Sequence, residues 1–107
     1  MIKVYQIQLT DEEVKLVNAV GWEATPRTKA FLAKMFNFDP DNFQYYDHVA
    51  NVMTDDREDA FRLMNLWEDE SLIERIGPSQ SSMSVGDIVE MENGNRYLCA
   101  SFGFTEI

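Results

Sequence analysis

One cysteine, one histidine and nine basic residues are all that this 107-residue chain offers for thiol chemistry, metal binding and phosphate recognition. A lone Cys99 cannot form an internal disulfide and points to a reducing compartment. Cys99 and His48 together cannot close a tetrahedral zinc site, so neither a metal nor a cofactor is expected. Long apolar runs are missing too. No stretch approaches the roughly 20 apolar residues that span a bilayer, which argues against a membrane partner. The opening Met1–Gln6 carries one positive charge and no apolar core, so no signal peptide is expected and the reading is a cytoplasmic protein. Nineteen acidic residues outweigh the nine basic ones, for a formal net charge of −10. Such a chain is repelled by phosphate backbones, and direct nucleic-acid binding is not expected.

What remains suits a packed globule. The hydrophobic fraction of 45% and the aromatic fraction of 12% are enough for a core, and the length fits a single domain over 1–107. The acid surplus serves solubility, attracts a basic protein partner, or imitates nucleic acid. Imitation requires Asp55, Asp56, Asp59, Glu68, Asp69 and Glu70 to line up on one continuous face.

The elements alternate in period. Ile2 to Leu9 reads as a strand with apolar groups on both faces. Thr10-Asp11-Glu12-Glu13 is a capping box that opens a helix over Asp11–Val20, burying Val14, Val17 and Leu16 and stopping at Gly21. Thr25-Pro26 opens a second helix, in which Phe31, Leu32, Met35 and Phe36 form a stripe that wants a core. Asn37 to Phe43 is turn-rich. Tyr45 to Met53 reads as a second strand. A third helix follows, capped by Thr54 or Asp55 and burying Ala60, Phe61, Met64 and Trp67. Glu68 to Ser82 reads as a loop with one helical turn at Leu72 to Ile76. Ile88–Met91 and Arg96–Phe102 flank Asn93-Gly94, a strong hairpin signal. The fold expected is α+β: a small, mostly antiparallel sheet with two to three helices packed mainly on one face, and a C-terminal β-hairpin that brings Phe102 and Phe104 onto the core.

Parts for catalysis are scarce. His48 lies on a strand among Tyr46, Ala50 and Val52 with no partner motif, so a structural or surface role is expected rather than general-base work. Cys99 sits mid-strand, where a buried inert thiol is the ordinary outcome. The acidic clusters lack the alternating oxygen spacing of a calcium loop. Ser79 to Asp87 is the most unusual segment. Its amides and hydroxyls could form an anion nest around Gly86, or a plain turn with Gly86 at positive φ and Asp87 bonding local backbone; the turn is the preferred reading.

Ser82-Met83-Ser84-Val85-Gly86-Asp87-Ile88-Val89, then Asn93-Gly94, then Ser101-Phe102-Gly103-Phe104 resemble the YodL-like small domains of bacteriophages and mobile elements. Their signature reads S-[LM]-S-V-[SG]-D-[IV]-[IV], a short hairpin and a closing G-F. Val49-Ala50 and the run Asp56 to Asn65, with Ala60-Phe61-Arg62, are similar to the V-A … D-x-E-x-x-F-x-x-x-N segment of phage and haloarchaeal relatives. The likeness covers about the last two thirds of the chain. Ser81 stands where relatives often carry a basic residue or histidine. The resemblance implies a phage or mobile-element origin and a life in the host cytoplasm, and it carries no reaction with it.

Three functional expectations follow. The first is a non-enzymatic accessory protein that binds a host or phage protein, with Ser81, Ser82, Ser84, Asp87, Trp22 and Trp67 as contact candidates and Tyr45 beside them. The second is an acidic nucleic-acid mimic that inhibits a host defence nuclease or restriction enzyme. The third is a small enzyme or ligand-binding domain using His48 or the Ser81–Asp87 turn.

Overall fold

The alternation in Ile2–Gln6 produces a strand, β1, with Ile2, Val4 and Gln6 buried and Lys3 and Tyr5 half-buried. The computed structural model describes residues 1–66, 69–77 and 82–107. Trp67, Glu68 and Ser81, three of the candidate contact or acidic residues, lie outside them.

β1 is central to a six-stranded antiparallel sheet. With β2 (Asp47–Val52), β3 (Ile73–Arg75), β4 (Ile88–Glu90), β5 (Arg96–Cys99) and β6 (Phe104–Glu106), the spatial order is β3-β2-β1-β4-β5-β6. Helices α1 (Asp11–Val20) and α2 (Pro26–Ala33) fill the β1–β2 connection, and α3 (Arg57–Leu66) follows β2. The α+β expectation holds. Two strands escaped the sequence reading: β3, where a helical turn was expected, and β6, which lies beyond the hairpin arm expected over Arg96–Phe102. Each is three residues long, too short for alternation to register.

Cross-strand register sorts the core. Ile2 faces Val52, Val4 faces both Ala50 and Val89, and these lie on the face that α3 covers with Ala60, Leu63 and Met64. Tyr5 pairs with Ile88, and Ile88 with Leu98, on the opposite face, where Ala30 and Tyr46 are buried beside Phe31, Phe38 and Phe43. Ile88 and Val89 are both fully buried, so β4 is covered on both sides.

Several local signals act as expected. Thr10 and Glu13 complete their capping box, and Gly21 ends α1 at φ 90°, donating to the Val17 carbonyl. Thr25 caps α2, with Pro26 in its first turn. At Asn93-Gly94 the amide of Gly94 donates to Met91, and that of Met91 to Asn95. The start of α3 differs: Asp56, rather than Thr54 or Asp55, accepts from the Glu58 amide, while Thr54 accepts from Asp56.

Three packing expectations are overturned. Helix α1 buries none of its residues; Val14 and Leu16 are exposed and Val17 half-buried. Helix α2 buries Thr28 and Ala30, and Lys34 just after it, while Met35 and Phe36 point to water. Phe102 is likewise exposed, because β5 ends at Cys99 and the chain turns before β6.

Candidate functional site

The turn singled out by its serines is built around one carboxylate. Asp87 Oδ1 accepts from the Lys34 ammonium at 2.7 Å. Its Oδ2 accepts from Gln6 Nε2 at 3.0 Å and from the Ser84 amide at 2.8 Å. Gln6 also donates to the Ser82 carbonyl. The side chains of Lys34 and Asp87 are 5% and 1% exposed, so this is a buried ion pair joining the end of α2 to the start of β4. Two charges removed from water are tolerated only when paired and further hydrogen-bonded, and Asp87 has three donors. Burial pushes the Asp87 carboxyl above its ordinary range, against the opposing pull of Lys34, Ser84 and Gln6.

Gly86 lets the turn close. Its φ of +89° suits glycine, and an added Cβ would lie 2.6 Å from the Lys34 carbonyl oxygen. Its amide donates to the Cys99 carbonyl, and its own carbonyl accepts from the Tyr46 hydroxyl. Burial, reinforced by the Asp87 charge, raises the pKa of that hydroxyl.

Among the described residues of the turn, the Ser84 amide donates to Asp87, the Met83 amide to Asn65 Oδ1, the Gly86 amide to Cys99 and the Asp87 amide to Ser84, as in the turn reading. A cavity of about 200 Å³ lies over the pair, with Gln6, Phe31, Lys34 and Ser84 among its walls. That is below the range of about 300–1,000 Å³ usual for small-molecule sites. Asp87 and the Ser84 amide hold this turn to β1 and to the end of α2.

His48 was expected beside Ala50 and Val52. A bulge at Val49 breaks that parity: Val4 faces Ala50, whereas Tyr5 faces His48. The imidazole thus turns to the opposite face, 5.2 Å from the Tyr5 ring, with Nε2 2.7 Å from Asn51 Oδ1. Asn51 in turn donates to Glu74. Cys99 is buried, and burial, with the Asp87 and Glu58 charges adding, pushes its thiol up to about 11. Native Cys99 should therefore react with a disulfide reagent at pH 8 at least about 100-fold more slowly than the urea-unfolded chain; equal rates would show an open thiol.

The acidic candidates are largely spoken for. Asp55 pairs with the N-terminal ammonium, Asp56 caps α3, Asp69 accepts from Ser71, and Glu70 pairs with Arg75. Asp59 bonds Arg62, which holds its carboxyl below the usual range, and Thr54. Cations are thus interleaved with the acids, unlike a row of phosphates.

Trp22 is half-buried and stacks on Phe31, with centroids 5.5 Å apart and planes 5° from parallel. Tyr45 is half-buried in the same cluster. Neither is a free anchor. An open apolar stripe lies elsewhere, on α1. Leu16 and Val20 are one turn apart, Val14 and Val17 continue the stripe, and Val20 is 67% exposed. Glu13, 3.4 Å from Arg27, and the 3-10 turn at Trp22–Ala24 tether this helix to the rest. The stripe was legible in the sequence; that nothing covers it was not. No family model, curated protein or solved structure matches the chain.

Proposed function

We propose that this chain is a non-enzymatic accessory domain that works by binding a protein through the open apolar stripe of α1. The observation that carries the reading is a ten-residue amphipathic helix with no buried side chain. Helices this short are marginal in water and draw most of their stability from burial of an apolar face. A partner laid along Val14, Leu16, Val17 and Val20 supplies that burial. Asp11 and Glu12 border the stripe, and with the net charge of −10 they favour a partner with basic residues at its rim, approached by electrostatic steering. The likeness to YodL-like domains adds a phage or mobile-element setting, with the partner a host or phage protein in the host cytoplasm.

The test is capture from bacterial lysate with wild-type protein and with Leu16→Gln/Val20→Gln, read by mass spectrometry at low and high salt. Glutamine is as good a helix former as valine, so circular dichroism should be unchanged. The expected result is a partner that survives high salt with wild type and falls at least about tenfold with the variant, as for loss of interface anchors. Equal recovery by both proteins would remove α1 from the interface and sink the proposal.

A further inference from the structure

We propose that α1 melts and re-forms in the free chain while the sheet stays intact, and that the contact of Glu13 with Arg27 is the latch that holds it shut. At ten residues α1 is shorter than the roughly 12–15 below which isolated helices are marginal in water. Burial of an apolar face ordinarily supplies what length does not, and α1 buries none of its residues. Its principal neighbour is the 3-10 turn that follows it in sequence. Both flanks of the helix are anchored, which confines the opening to α1 itself. Before it, the Gln8 carbonyl accepts from Arg27. After it, the Trp22 carbonyl accepts from Thr28 at 2.8 Å, and the Trp22 ring stacks on Phe31. Gly21 separates α1 from that anchored turn, with nothing within 4 Å of where a Cβ would stand, so its torsions have room to change.

The latch is weak by its geometry. Arg27 gives Nη1 to the Tyr45 carbonyl and Nη2 to Asp47 and the Gln8 carbonyl, and these bonds remain when Glu13 leaves. Glu13 Oε1 stands 3.4 Å from Nε, yet Nε is buried with no hydrogen-bond partner among the described residues. A buried N–H without a hydrogen bond costs free energy, which offsets part of the ion-pair attraction. The same Glu13 oxygen accepts from the Thr10 amide, so the first turn of α1 and its docking are lost together. Opening is a property of the free chain and occurs whether or not a partner covers the stripe. For the partner proposed for that stripe, only the helical form is competent, so the open fraction lowers its apparent affinity.

Amide hydrogen exchange of the free protein, followed by NMR, tests this. After correction for intrinsic rates, the Val14 to Gly21 amides should exchange at least about 100-fold faster than the paired amides of β1 and β2. Low urea should leave the α1 rates unchanged, because so little surface is newly exposed. Two variants isolate the latch. Glu13→Gln keeps the capping box, which takes glutamine as well as glutamate there, but removes the charge that faces Arg27. Glu12→Gln removes another acid of the same turn and so corrects for the helix dipole. Protection of α1 should fall about two- to fivefold further in Glu13→Gln than in Glu12→Gln, with β1 unchanged in both. Amides of α1 as well protected as those of β1 would overturn the proposal, as would equal exchange in the two variants. Failed capture of a partner alongside fast exchange would sink the binding surface alone; normal capture with a fully protected α1 would sink the opening alone.

Discussion

Asp87→Asn should cost about 3–5 kcal/mol of stability, the usual penalty for leaving one member of a buried ion pair without its partner. The Lys34 ammonium is 5% exposed, and Asp87 is its hydrogen-bonding carboxylate. Asparagine keeps an oxygen for Gln6 and the Ser84 amide but removes the charge that Lys34 requires. Adding Lys34→Met should restore at least about 1 kcal/mol, because the unpaired cation is then gone as well. Urea unfolding of both single variants and the double variant closes the cycle. Simple additivity of the two losses would show that the pair is not energetically coupled.

Gly86→Ala should be nearly as damaging, though it adds only a methyl group. The backbone there is at φ +89°, which costs a residue with a Cβ about 1–3 kcal/mol. The new methyl also meets the Lys34 carbonyl oxygen at 2.6 Å and Lys34 Cγ at 2.7 Å, and relieving such overpacking costs about 1–3 kcal/mol more. The expected loss is about 2–6 kcal/mol, or a fall in Tm of roughly 9–27 °C. Gly94→Ala serves as the control. It has the same φ of +89° but nothing within 4 Å of the added carbon, so it should lose only the conformational part. Equal melting temperatures for the two variants would mean that the contact with Lys34 contributes nothing.

Local chemistry was the readable part of this fold. The capping box at Thr10, the N-cap at Thr25, the stop at Gly21 and the turn at Asn93-Gly94 depend on neighbours in sequence, and each formed where its residues predicted. Long-range choices were not readable. Periodicity placed Phe31, Leu32, Met35 and Phe36 on an apolar stripe, yet the side chain sent inward at the end of α2 is Lys34, because Asp87 awaits it just before β4. No property of Lys34's own neighbourhood announces that pairing. The bulge at Val49 is equally silent in sequence, although it decides which face His48 occupies. For the candidate site, the turn chemistry of Gly86 and Asp87 was legible, whereas the two buried partners from β1 and α2 were not.

The position of β1 has a consequence for the order in which the molecule assembles. It precedes the other five strands in sequence and lies at the middle of the sheet, between β2 and β4, with Lys3 paired to Asn51 on one side and Glu90 on the other. One flank can therefore close only after the chain has been made as far as Ile88–Glu90 of β4. Contacts so distant in sequence slow folding, since the loop must be ordered before the pairing rewards it. Until β4 arrives, β1 carries an unpaired apolar edge of the kind that invites pairing between chains. The acid surplus then has a second use, in the unfinished chain: self-repulsion keeps half-made sheets apart while they wait for their last strands.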